Sequence, residues 1–167
     1  MLEIINNLKP FFENCYMRIG IREYARLMKM SPPTASSLLK GYVRDGLLIA
    51  EKDRRYIMFR ANQASKDFIM LSRIYWQQRL EGLVKLIEKG SPDSIVLFGS
   101  LSKGEAKPDS DIDLAVFGAK KTGLGDFERK IGRSIQEFWF DSLDEVKNME
   151  LRENIINGHM LSGSLRI

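Results

Sequence analysis

The 167-residue chain contains a single cysteine, Cys15, and a single histidine, His159. One thiol excludes an internal disulfide framework and any Cys-rich zinc site, and His159 has no partner histidine or cysteine with which to hold a metal. Such sparse cysteine usage fits a reducing cytoplasm. No apolar run approaches the roughly 18–20 residues needed to cross a bilayer. Met1 is followed by Leu-Glu rather than by a basic and then apolar signal region. The expectation is a soluble, cytoplasmic protein with no membrane partner. Internal repeats and low-complexity tracts are absent too, so the whole chain is read as packed domains.

What is present supports a core. Hydrophobic residues make up 44% and charged residues 29%, a balance that argues against global disorder. The length suits one medium domain or two small ones. The net charge of +4 is unevenly spread. Residues 1–62 hold eleven Lys/Arg against six Asp/Glu, whereas the remainder hold fifteen against sixteen. A basic front and a near-neutral back imply two parts with different partners.

The pattern along the chain predicts an α+β protein. Leu2, Ile5, Leu8, Phe11 and Phe12 recur at helical spacing, and Ile21, Tyr24, Ala25 and Met28 do so after Gly20. Ser31 before Pro32 and Pro33 is a helix-start signal, since a hydroxyl can cap the first turn and proline lacks only an N–H that has no partner there. The helix it opens buries Ala35, Leu38, Leu39 and Tyr42 or Val43, and Gly46 stops it. Leu47–Ala50, a polar EKDRR turn and Tyr56–Arg60 then read as a hairpin. One long helix is expected over 63–90, followed by strands at Ser94–Phe98, Ile112–Phe117 and Ser134–Phe140. A short helix at Phe127–Gly132 and a closing helix at Leu143–Ile156 complete the reading. The domain division is 1–62, a linker helix 63–90, and 91–167.

The chemistry concentrates in IVLFGSLSKGEAKPDSDIDLAVF, residues 95–117. Gly99-Ser100 directly follows an apolar strand, where glycine permits a tight turn and close backbone approach. N–H groups at the start of the next helix would face a phosphate, with the Ser100 hydroxyl donating and Lys103 neutralising one turn on. About ten residues later, Asp111 and Asp113 flank Ile112 at the head of a strand. Alternation sends both carboxylates to one face while Ile112 and Leu114 point to the core. Adjacent carboxylates repel unless a cation lies between them, and hard oxygen ligands suit Mg²⁺ or Mn²⁺.

In this order and at these strand ends, the residues resemble the signature of the DNA polymerase beta-type nucleotidyltransferases. PDSDIDLAVF is most similar to their minimal prokaryotic members, over roughly Ser91 to Gly163. The resemblance implies a small mixed sheet with helices on one side, a nucleoside triphosphate (ATP as the first choice) with two divalent metals as ligands, and a nucleotidyl transfer reaction. It also implies a third acid on a later strand. In SIQEFWFD, alternation separates Gln136, Phe138 and Phe140 from Ile135, Glu137 and Trp139. Glu137 is the best acid for that role, with Asp111 and Asp113 as its catalytic partners. Register could instead place Gln136 there, and Asp141 stands at the strand end.

Residues 18–62 resemble a winged helix-turn-helix. IREYARLMKM matches the first helix, SPPTASSLLKGYVRDGLL the recognition helix and its exit, and EKDRRYIMFRAN the wing. The resemblance implies double-stranded DNA as partner, with Thr34, Ser36, Ser37 and Lys40 toward the major groove and Lys52, Arg54 and Arg55 reaching phosphates. Trp76 and Trp139 are read as packing residues. The helix 63–90 could pair with a second copy in a homodimer. Two functional readings stand: a metal-dependent nucleotidyltransferase with a protein or nucleic-acid acceptor, or a DNA-binding regulator whose second half senses a nucleotide.

Overall fold

The first apolar stripe becomes one buried face in the computed structural model, which describes residues 3–165. Ile5, Leu8, Phe11 and Phe12 of α1 (Glu3–Glu13) are fully buried; Leu2 lies outside the described residues. Asn7 joins this face, where its side-chain Nδ2 donates to the Tyr42 hydroxyl at 3.1 Å and its backbone carbonyl accepts from the Tyr24 hydroxyl at 2.8 Å. Burial pushes both phenols upward from their ordinary range. Tyr24 belongs to α2 (Ile21–Leu27) and Tyr42 to α3 (Pro32–Arg44), so these hydrogen bonds tie three helices together.

The start of α3 is set by local chemistry. The Thr34 N–H donates to Ser31 Oγ at 3.3 Å, and both prolines sit where a missing N–H costs nothing. Ala35, Leu39 and Tyr42 are buried, with Leu38 and Val43 half-buried. Beyond Gly46, in the left-handed region at φ 74°, the chain enters a three-stranded antiparallel sheet of order β1-β3-β2. Its strands are β1 (Ile19–Gly20), β2 (Leu48–Asp53) and β3 (Tyr56–Ala61). The polar EKDRR segment, expected to be the turn, is turn only in part, because residues 51–53 belong to β2. Asp53 pairs with Tyr56, leaving Arg54-Arg55 as a two-residue tip. Glu51 stays in the ladder because Arg60 across the strands and Arg18 at 3.3 Å pair with it, holding its carboxyl below the usual range.

The expected single helix over 63–90 is two helices, α4 (Lys66–Arg79) and α5 (Glu81–Glu88), meeting at buried Leu80. Gly82, a weak helix former, sits just after the break, and a Cβ there would lie 3.3 Å from the Phe127 ring. The chain forms two units: residues up to Ser72 with Gly104–Pro108, and Arg73–Lys103 with Asp109 onward. The division therefore falls within α4.

The second unit holds a four-stranded mixed sheet of order β6-β5-β4-β7. Strand β4 (Ser94–Phe98) runs antiparallel to β5 (Ile112–Phe117) and to β7 (His159–Gly163), while β6 (Ile135–Phe140) is parallel to β5. One face carries Val96, Phe98, Ala115 and Phe117 against Leu143, Val146 and Ile155. The alternate residues Ile95, Leu97, Ile112, Leu114 and Val116 are fully buried as well. Both faces are thus covered. Each such aliphatic side chain contributes about 1.5–3 kcal/mol by leaving water. Connecting helices are α6 (Gly99–Lys103), α7 (Gly125–Ile131) and α8 (Met149–Ile156). The closing helix begins later than expected. A short 3-10 turn occupies Leu143–Glu145, and Asn148 then caps α8 by accepting the Leu151 N–H at 3.0 Å. Among the described residues, no helix is long and apolar enough to cross a membrane.

Candidate functional site

The end of β4 is where the backbone turns hardest. Gly99 adopts φ 67°, a region open to glycine and strained for other residues. A Cβ built on it would fall inside the Asp113 carboxylate, 2.9 Å from Cγ and closer still to Oδ2. The glycine is needed for conformation and for space together. Two bonds fix the short α6 that follows: Ser102 Oγ donates to the Gly99 carbonyl at 3.0 Å, and Arg73 Nε to the Ser102 carbonyl at 2.8 Å. A second Arg73 nitrogen reaches the Asn157 carbonyl at 3.2 Å. Ser100 is half-buried beside this turn, and exposed Lys103 donates through Nζ to Asn154 Oδ1 of α8 at 2.8 Å.

Asp113 stands opposite Phe98 in the β4–β5 ladder, which brings its carboxylate beside Gly99. Asp111 precedes it by two residues on the same side, and both are half-buried. Burial first, and the Asp111 charge second, push the Asp113 carboxyl up to about 6; Lys103 opposes them. The segment before β5 is held by buried Arg133, which donates to the Ser110 carbonyl at 2.7 Å and lies 5.1 Å over the Trp76 ring.

Glu137 does not join this pair. In the parallel ladder Asp113 pairs with Gln136, so Gln136 shares its face and Glu137 points the other way. Gln136 Nε2 donates to Asp111 Oδ2 at 2.7 Å. Glu137 instead accepts from Trp139 Nε1 at 2.6 Å and lies 3.5 Å from Lys121 Nζ. Asp141 follows Phe140, which pairs with Phe117 at the far end of β5, so it is remote from both aspartates. Among the described residues, no three His, Cys, Asp or Glu side chains form a metal-binding cluster. The site residues that sequence reasoning missed are Arg73, Arg133 and Asn154. Each acts across a long stretch of chain, and no local pattern marks them.

His159 lies in β7, its Nε2 3.1 Å from Gln77 Oε1, and burial lowers its basicity. Trp76 is fully buried and Trp139 half-buried, as packing residues would be.

In the first unit, Thr34, Ser37 and Lys40 are exposed on α3, with Ser36 half-buried. The Thr34 hydroxyl shares a 2.7 Å hydrogen bond with Ser31 Oγ, so it already serves the cap. Lys52, Arg54 and Arg55 are exposed at the hairpin tip. An open groove of about 800 Å³ runs beside them, lined by Arg22, Arg26, Pro32, Arg55, Tyr56 and Ile57. Arg22 and Arg26 were not singled out in the sequence; their four-residue spacing on the polar side of α2 was the available signal.

Residues 80–155 match the family model of the nucleotidyltransferase domain, from the α4–α5 junction to the last turn of α8. No curated protein and no solved structure matches the chain. The matched segment contains Gly99, Ser100, Asp111 and Asp113, so this part of the chain is similar to domains that use a nucleoside triphosphate, usually with a divalent metal.

Proposed function

We propose that the protein binds a nucleoside triphosphate, with ATP as the first candidate, at Gly99, Ser100, Lys103, Asp111 and Asp113. It would transfer the nucleotidyl group to a protein or nucleic-acid acceptor. The approach of Gly99 to Asp113 carries this reading. A carboxylate packed against a left-handed glycine turn, with a second carboxylate two residues away, puts phosphate-binding backbone beside cation-binding oxygens. The two aspartates fit a hard cation such as Mg²⁺ or Mn²⁺. When bound, it would neutralise charge on the triphosphate. This chain's own contribution is positional: Arg73 and Ser102 set the turn, while Arg133 sets the approach to β5.

Labelled ATP with Mn²⁺ tests the reading directly. Label should pass to an acceptor in cell extract or to the protein itself, and Asp111→Ala with Asp113→Ala should abolish it. Absence of transfer from any nucleoside triphosphate across a broad acceptor panel would sink the transferase assignment. A second reading, a nucleotide sensor with little turnover, is favoured by one observation: the amide of Gln136 occupies the face where a third acid was expected.

For the first unit we propose a winged helix that binds double-stranded DNA, supported by the exposed Lys40, Lys52, Arg54 and Arg55 and by the arginine-lined groove. Arg54→Ala with Arg55→Ala is expected to weaken DNA binding and to flatten the slope of log affinity against log salt by about 2, one per lost phosphate contact. Fluorescence anisotropy over a salt series measures this, and an unchanged slope would remove the wing tip from the interface. Homodimerisation and a cytoplasmic location belong to this proposal as well. Sedimentation velocity decides the first.

A further inference from the structure

We propose that this site takes a single divalent cation, between Asp111 and Asp113, because Gln136 stands where a second one would need a third carboxylate. The inference rests on the nucleotide-binding reading above and deepens it. Its observations are the ladder register, the donor set and one hydrogen bond. Gln136 lies opposite Asp113 on the face that both aspartates share, and its Nε2 donates to Asp111 Oδ2 at 2.7 Å. An amide hydrogen therefore already satisfies that oxygen and presents positive partial charge where a further cation would have to sit.

Charge counting points the same way. Two carboxylates supply two negative charges against the four positive charges of a cation pair. A triphosphate can chelate one ion of such a pair; the other depends on protein carboxylates to offset its charge. None is at hand. Glu137 faces away toward Trp139 and Lys121, Asp141 is at the other end of β6, and no third acid, histidine or thiol completes a cluster among the described residues. One ion carried in with the nucleotide fits this donor set; a second, on the acceptor side, does not. Nucleotide retention with slow transfer is the functional consequence.

Manganese counting tests this on the full chain. With the non-hydrolysable α,β-methylene analogue of ATP present, titration followed by electron paramagnetic resonance should saturate at one Mn²⁺ per chain, without manganese–manganese coupling. Gln136→Glu and Gln136→Asp should each raise the count to two and introduce that coupling. Gln136→Ala removes the amide without adding charge and should remain at one. Because Gln136 is exposed, none of these changes threatens folding. Two ions in the parent protein, or a second ion in the alanine variant, would overturn the inference while leaving nucleotide binding intact. A count still at one in both acidic variants would overturn the role given to Gln136. No Mn²⁺ bound with the analogue would overturn the nucleotide–metal reading itself and this inference with it.

Discussion

Gly99→Ala is expected to cost nucleotide–metal binding at least a hundredfold in Kd while leaving the second unit folded. Two separate effects combine at this position. At φ 67°, an L-residue with a Cβ costs about 1–2 kcal/mol relative to glycine. The Cβ also occupies the space of the Asp113 carboxylate, which cannot withdraw freely because Asp113 is paired with Phe98 in the ladder. Relief must come from swinging the carboxylate away from Asp111 or from opening the β4–α6 turn. Either movement separates the backbone proposed to bind phosphate from the oxygen proposed to bind the cation. The β4 and β5 core beneath is fully buried and should hold, so the loss of stability is put at about 2–3 kcal/mol, a fall in Tm of roughly 5–10 °C. Calorimetric titration with Mn²⁺ and the ATP analogue, alongside thermal unfolding, separates the two losses. Parental affinity in the alanine variant would show that the close approach has no functional weight.

Much of this site was legible in the sequence because its determinants are local. β4 and β5 are short apolar strands, broken in β5 only by Asp113 and buried on both faces, so their bounds are plain in the sequence. Gly99-Ser100 and Asp111–Asp113 stand at their ends, where turn and alternation dictate geometry. Ser31 before two prolines announced α3 just as directly. What could not be read depends on pairing between distant segments. β6 carries aromatic residues on both alternating sets, and all its core-facing positions are only partly buried, so hydrophobicity does not choose between Gln136 and Glu137. The parallel ladder to β5 chooses, and a ladder is a relation between two strands.

The same reasoning covers the other misses. HMLSG has little apolar content to mark β7, which exists because β4 offers it an edge; Gly158 permits the entry, since a Cβ there would crowd the Leu97 carbonyl at 2.7 Å. Glu51 to Asp53 look like turn residues by composition. They extend a strand because Arg18 and Arg60 neutralise Glu51 from neighbouring positions. The helical stripe from Phe68 to Ile87 keeps its period through Leu80, so periodicity could not reveal the break there.

Asp113→Asn should move stability in opposite directions with and without ligand. Burial and the Asp111 charge raise the native Asp113 carboxyl to about 6, well above its value in the unfolded chain. Between those two values the native state holds its proton more tightly than the unfolded state does. Stability is therefore fully present at about pH 4, falls as pH rises through 6, and is flat above. Keeping that charge in a dry interior would cost about 3 kcal/mol; Asp113 is only half-buried, and solvent screening reduces the figure to about 1–2 kcal/mol. Asparagine stays neutral at every pH. In chelator, the variant should be more stable than the parent by that amount at pH 8 and equal to it at pH 4. With Mn²⁺ and the ATP analogue at a hundred times Kd, the parent gains about 2.7 kcal/mol from binding, which the variant lacks. The order of stabilities at pH 8 then reverses. Denaturant unfolding under the four conditions decides the matter: a variant less stable than the parent in chelator at pH 8 would mean that the carboxylate is held by favourable contacts rather than kept, at a cost, for a cation.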